Sequence, residues 1–136
     1  MAEGRERIFL YGTLRRGGSR DATRFYTGAE FVAAARVHGV LHDFGEYPGL
    51  RLAAEAGWVR GEIFEVTAEA LAGLDEWEGI DPAAPDSGEY RRVRAGVRRE
   101  DGTDEICWIY EIAEACCEGR PVIASGDWIA HAAGAC

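Results

Sequence analysis

Three carboxylates fall within four positions of the stretch LDEWEG, residues 74–79, where Asp75, Glu76 and Glu78 surround Trp77. Negative charge is disfavoured at a helix C-terminus, because the backbone there already presents partial negative charge and unpaired carbonyls. A carboxylate held against that field and partly removed from water keeps its proton to higher pH, which suits general acid/base work near neutrality. The other stretch that could do chemistry is YGTLRRGG, residues 11–18, where an apolar run stops at Gly12 and enters a polar turn. With no side chain in the way, Gly12 can bring its amide close to a ligand, and a loop of amides at a strand end can hold a carboxylate or an oxyanion. The spacing is not that of a Walker loop or a dinucleotide fingerprint, and a strand ending in Gly-Thr is also an ordinary turn.

The helix that would carry the carboxylates has its own local signature. Thr67 offers an N-cap, Glu69 and Ala70 open the first turn and Gly79 supplies a stop, which predicts a helix of about 11 residues within 67–79. At about 100° per residue, Leu71 and Leu74 lie roughly 60° apart and define the buried face, with Glu78 between them. Glu76 and Glu69 project about 140° and 160° from Leu71, toward water, and Asp75 sits at the edge of the apolar face. Glu78 is thus the inward carboxylate. Burial beside Leu74 and Trp77 and the helix terminus both predict a raised pKa for it. The other use of such a residue is a core-edge glutamate paired with an arginine.

These stretches sit among short, irregularly ordered elements. Residues 7–11, RIFLY, read as an opening strand, followed by an arginine- and glycine-rich loop and a short helix over about 19–26. Residues 31–41 and 58–66 read as strands, with a Pro-Gly turn at EYPGL, residues 46–50, between them. Residues 90–99 and 105–112 are two further strands joined through Asp101-Gly102, a hairpin signal, and a second helix follows SGDW with Ser125 or Asp127 as its cap. No regular βαβ alternation is present. The pattern predicts an α+β fold, a small and mainly antiparallel β-barrel of about six strands with two or three flanking helices and a ligand-sized mouth.

Composition narrows the partners. At 136 residues the chain fits one domain, and about 65 to 70% of the unfolded surface would be buried at that size. The net charge of −9 opposes nucleic acid and anionic membrane surfaces. All 15 basic residues are arginine, which excludes lysine Schiff-base chemistry and a lysine phosphate clamp. No apolar run approaches the roughly 20 residues of a membrane span, and MAEGRERIFLYG lacks a signal-peptide core, so the expected location is the cytoplasm. Cys107, Cys116, Cys117 and Cys136 read as free thiols. Neither they nor His38, His42 and His131 have metal-site spacing.

Taken in order, YGTLRRG, EYPGL, GEIFEV running into LDEWEG, EYRRV and SGDW resemble the signature of the gamma-glutamylcyclotransferase-like superfamily, from Tyr11 to Trp128. With YGTL in place of YGSN, the chain is more similar to the gamma-glutamylamine cyclotransferase branch. The resemblance implies a single domain over residues 1–136, a small barrel with flanking helices, and a cavity floored by the YGTL loop. There the backbone of Tyr11, Gly12, Thr13 and Leu14 would hold a gamma-glutamyl group, and the glutamate before the glycine of LDEWEG, Glu78, would be the acid/base. Tyr90 matches a tyrosine position of the family, with a hydrogen bond near Glu78 or the substrate, or an aromatic rim, as its role.

The implied reaction is closure of the substrate's α-amine on its own γ-carbonyl, giving 5-oxoproline and a free amine without a covalent enzyme intermediate, a cofactor or a metal. The partner would be a small gamma-glutamyl molecule, with no nucleic acid or membrane, on a monomer or homodimer. The amides near Gly12 would anchor the substrate carboxylate or stabilise the oxyanion. The alternative is a non-catalytic binding or regulatory domain that keeps the same pocket. Among supporting residues, Arg91 or Arg92 would pair with Asp75 or Glu76, since neighbouring strand residues point to opposite faces. Trp77, Trp108 and Trp128 would be packing aromatics. Arg15, Arg16, Arg20 and Arg24 would form either a solvated basic patch or a site for an extra substrate carboxylate. The loop of residues 79–89 is long for the pattern, which bears on substrate preference.

Overall fold

The structure, a computed structural model, describes residues 5–15, 28–85 and 87–133. Six strands run in the order β1 (Arg5–Leu10), β2 (Ala29–Asp43), β3 (Pro48–Leu52), β4 (Trp58–Thr67), β5 (Tyr90–Arg99) and β6 (Asp104–Ile112). Helix α1 (Ala68–Trp77) follows β4, a 3₁₀ turn (Glu114–Cys117) follows β6, and α2 (Trp128–Ala133) comes last. The helix expected over 19–26 lies outside the described residues.

The sheet order is β3-β2-β4-β1-β6-β5, and β2 also pairs with β5. That last pairing, at Ala35 with Arg99 and Arg36 with Arg98, closes five strands into a barrel and leaves β3 as an extra strand. All strand pairs are antiparallel except β1 with β6, which meet in parallel at Ile8 and Trp108. Strand β2 serves two partners: residues 29–38 run along β4, with a register shift between Phe31 and Ala33, and residues 39–43 run along β3. A bulge bends a strand and increases its twist, here within the part of β2 that runs along β4. The expected turn at 46–50 lies slightly earlier, where the Phe44 amide donates to the Tyr47 carbonyl, and Pro48 begins β3 instead. Proline is tolerated there because the first residue of a sheet-edge strand has no ladder bond to donate.

Alternation along the strands produces two cores. Phe9, Val37, Val59, Ile63, Val97 and Ile109 come from all five barrel strands and fill its interior. Their neighbours Ile8, Leu10, Phe64 and Val66 face outward and are covered by Leu71 and Leu74 of α1. Leu74 is wholly buried, worth about 1.5–3 kcal/mol for a leucine side chain. This outer core docks α1, and with it the carboxylate-rich turn, against the barrel wall. The hairpin after β5 has the Asp101-Gly102 geometry expected, with Gly102 at φ +91°. Asp127 caps α2, its Oδ1 accepting from the Ala130 amide at 3.2 Å.

Candidate active site

Helix α1 begins and ends on specific bonds. Thr67 leaves β4 in an extended conformation, and its hydroxyl accepts from the Ala70 amide at 3.1 Å, an N-cap worth about 1 kcal/mol. At the other end the Gly79 amide donates to the Glu76 carbonyl at 3.0 Å and the Ile80 amide to the Asp75 carbonyl at 2.9 Å. These two bonds make a Schellman closure, which needs the left-handed φ of +76° that Gly79 supplies. Glu78 is the last residue before that glycine, with its amide bonded to the Leu74 carbonyl. The helix end is therefore sealed, and the backbone of Glu78 is held from both sides.

Glu78 lines a cavity of about 660 Å³ together with Tyr11, Gly12, Thr13, Leu14 and Tyr90. All six residues singled out from sequence thus meet in one place. Burial first, and then the negative charges of Glu89 and Asp75, push the Glu78 carboxyl up to about 7. The direction is the one expected, but Glu89 was not foreseen as a contributor. Glu76, on the same turn, is exposed. Its conversion to glutamine is expected to change kcat/KM by no more than about twofold, the scale of an exposed polar change; a large loss on steady-state assay would show that the two glutamates have exchanged roles.

The tyrosines hold the cavity wall. The Tyr11 hydroxyl donates to the Tyr110 carbonyl at 2.5 Å and accepts from the Leu50 amide at 3.3 Å, so it ties the loop after β1 to β6 and β3. The Tyr90 hydroxyl donates to the Pro48 carbonyl at 2.7 Å in a buried position. Its proton is therefore committed to β3, although the ring remains at the cavity wall. Burial is the first cause that raises the pKa of both phenols, with nearby acidic groups adding to it. Gly12 has a packing reason as well as the expected chemical one: a Cβ there would come 2.9 Å from Cγ of Pro48. The glycine lets the loop pass over the proline that anchors Tyr90.

Other lining residues escaped the sequence reading. Tyr110 lines the cavity and donates its hydroxyl to Asp75 Oδ1 at 2.7 Å. Glu89 lies just before β5 and accepts from the Tyr47 hydroxyl at 3.0 Å. Glu46 and Tyr47 complete the acidic and aromatic rim. Nothing local marks Tyr110, which is one aromatic among several in an alternating strand. Glu89, by contrast, stands next to Tyr90 and belongs to the quoted EYRRV.

Two expectations need correction. Trp77 is not a packing aromatic: it is 49% exposed and stands at the cavity rim. The helical wheel itself places it about 120° from Leu71. Trp108 is half-buried, with the guanidinium groups of Arg92 and Arg94 over its ring at 4.1 and 4.2 Å, whereas Trp128 is buried in the barrel core. Arg15 does not belong to a solvated patch: its side chain is largely buried, 2.9 Å from Asp127 and 3.8 Å from Glu62. It clasps the end of the YGTL loop to β4 and the cap of α2. Arg16, Arg20 and Arg24 lie outside the described residues. The ion pair expected near α1 exists between Arg92 and Asp75, at 2.9 Å, while Arg91 turns to Glu111 on the opposite face.

Among the described residues, no group of three or more His, Cys, Asp or Glu side chains has the geometry to hold a metal ion, and no helix is long and apolar enough to cross a membrane. What the cavity offers is one carboxyl poised near neutrality, a loop backbone opposite it, and an acidic, aromatic rim. Such a site can move protons on a small polar molecule held between the loop and α1.

Comparison with known proteins bears on the family and the fold. Residues 8–130 match the family described as gamma-glutamyl cyclotransferase, AIG2-like. A Halalkalibacterium halodurans protein provisionally named a gamma-glutamylcyclotransferase is 35% identical over 94 residues, 68% of this chain and 80% of its own. A Vibrio cholerae protein with the same provisional name is 33% identical over 121 residues, 89% of this chain and 93% of its own. The gamma-L-glutamyl-butirosin B gamma-glutamyl cyclotransferase of Niallia circulans is 33% identical over 105 residues, 76% of this chain and 64% of its own. Among solved structures, an AIG2-like protein of Mus musculus shares the fold with a TM-score of 0.69 at 25% identity, over 88% of this chain and 86% of that one. A protein specific to uropathogenic E. coli shares it at 0.71 and 21% identity, over 97% and 98%. The chain belongs to the gamma-glutamyl cyclotransferase, AIG2-like family.

Proposed function

We propose that the cavity binds a gamma-glutamyl amine and converts its gamma-glutamyl group to 5-oxoproline, with release of the free amine. The observation that carries this reading is the Glu78 carboxyl, raised to about 7 and facing a cavity lined on another side by Gly12, Thr13 and Leu14. The α-nitrogen attacks the γ-carbonyl carbon, a five-membered lactam closes, and the bond to the departing nitrogen breaks. Two protons leave the α-ammonium and two arrive on the departing nitrogen, so atoms and charge balance with no protein nucleophile and no covalent intermediate. Glu78 carries those protons in turn. Near neutrality it is present both as carboxylate and as acid, as a shuttle requires. Folding the substrate so that amine and carbonyl meet supplies several kcal/mol of the barrier reduction. Backbone amides of residues 12–14 anchor the α-carboxylate or receive the developing oxyanion.

The rim supports the amine branch of this chemistry. Glu46, Glu78 and Glu89 line the cavity, and no arginine does so among the described residues. An acidic lining favours cationic groups and repels a departing group that carries its own carboxylate. The name of the Niallia circulans relative, which specifies a gamma-L-glutamyl-butirosin B, fits the same reading. The test is to incubate the protein with gamma-glutamyl amines, gamma-glutamyl amino acids and glutathione, and to assay 5-oxoproline. Turnover is expected to be highest with the amines. Binding without turnover across the panel would instead identify a non-catalytic binding domain.

A further inference from the structure

One run of hydrogen bonds joins the two stretches of sequence that build the cavity. The Leu50 amide donates to Tyr11, the Tyr11 hydroxyl donates to the Tyr110 carbonyl, and the Tyr110 hydroxyl donates to Asp75 Oδ1 at 2.7 Å. Arg92 Nε meets the same carboxylate oxygen at 2.9 Å. The Arg92 guanidinium lies over Trp108, whose indole Nε1–H donates to Glu6 Oε1 at 2.9 Å. Asp75 is therefore fixed from β5 and β6 at once. It stands three residues before Glu78, one turn back on the same helix, so the two side chains project toward similar faces.

We propose that Asp75 is a positioning residue of this site, clamped by Tyr110 and Arg92 so that it fixes the last turn of α1 against the barrel and sets the electrostatic surroundings of Glu78. The proposal rests on Glu78 being the acid/base group. Asp75 places one negative charge beside Glu78, and Arg92 counters it. An Asp75 without Arg92 would press harder on Glu78, and an uncharged residue at 75 would not press at all. The other titratable groups facing Glu78 are Glu89 before β5, Tyr90 on β5, Tyr110 on β6 and Tyr11 after β1. Glu46 lines the same cavity. Of these, Tyr110 is itself bonded to Asp75 and feels the charges of both Asp75 and Arg92.

The clamp makes opposite predictions for its two charged members. Asp75→Asn keeps an oxygen for the Tyr110 hydroxyl but removes the charge, so the titration midpoint of Glu78 is expected to fall by about one pH unit. Arg92→Gln leaves Asp75 uncountered, and the midpoint is expected to rise by about the same amount. Both shifts are read on the full chain in two ways: by the acid limb of the kcat/KM profile for 5-oxoproline release, and by carboxyl-carbon NMR of Glu78, which needs no turnover. Midpoints that move in opposite directions support the proposal even in a protein that makes no 5-oxoproline, an outcome that would count against the cyclisation alone. Midpoints that stay in place, or move together, overturn it even if activity falls at every pH. Tyr110→Phe removes a single hydroxyl from the clamp and serves as the second variant. It is expected to lower kcat with little change in KM, and a wild-type kcat overturns the clamp.

Discussion

Glu78→Gln is expected to lower 5-oxoproline formation by about 10²–10⁴-fold, the range for loss of a positioned acid/base group, while leaving the fold unchanged. Glutamine keeps the size and shape of the glutamate but can neither accept the α-ammonium proton nor return it to the departing nitrogen. The backbone of residue 78 is set by Leu74 and by the turn at Gly79, and neither depends on the side chain. The loss should therefore appear in kcat, with substrate affinity retained. Circular dichroism and a substrate titration check that the variant is folded and binds. Near-wild-type turnover in a folded Glu78→Gln protein would remove Glu78 from the mechanism.

The same substitution is expected to make the protein more stable at alkaline pH. The carboxyl titrates near 4.5 when exposed and near 7 in the fold. Below the lower value it is protonated in both states, and folding carries no penalty from it. As pH rises between the two values the unfolded chain ionises first and stability is lost. Above the folded value the full penalty is present, about 3 kcal/mol. Glutamine has no such penalty. Denaturant unfolding at pH 8.5 should find Glu78→Gln more stable by about 3 kcal/mol, with the gap closing to under about 1 kcal/mol at pH 5. A difference that is independent of pH would mean that Glu78 is not held away from water. The pair of effects, activity lost and stability gained, is the behaviour of a residue placed for chemistry rather than for folding.

Features built from neighbours in sequence were legible before the structure was. Thr67, the Leu71 and Leu74 spacing and Gly79 located α1, because caps and period act within a few residues. The inward direction of Glu78 followed from the same wheel. The wheel also carried the exposure of Trp77, which the general burial of tryptophan obscured. The apparent misplacement of acid at the helix end has a local answer too, since Ile80 and Gly79 close the terminal carbonyls.

Features built from distant pairings were not legible. Tyr110 reaches Asp75 only because β6 lies in parallel beside β1 and antiparallel to β5, and no short-range signal selects that order. The strand at Pro48 was hidden by a Pro-Gly dipeptide whose turn is completed before the proline. Arg15 looked like one of four loop arginines until Glu62 and Asp127, remote in sequence, were found around it. Arg92 could be offered a partner on α1 because strand alternation requires adjacent arginines to diverge. The choice between Asp75 and Glu76 needed the register of β5 against α1.

Cyclisation is tested most directly by following the substrate's acyl group. The protein is incubated with a gamma-glutamyl amine in water enriched in the heavy oxygen isotope, and the products are identified by mass spectrometry. The result expected is 5-oxoproline and free amine in equal amounts, with no heavy oxygen in the lactam carbonyl, because the acyl carbon passes from one nitrogen to another without meeting water. Glutamate carrying the heavy isotope in its side-chain carboxylate would instead show hydrolysis and contradict the assignment.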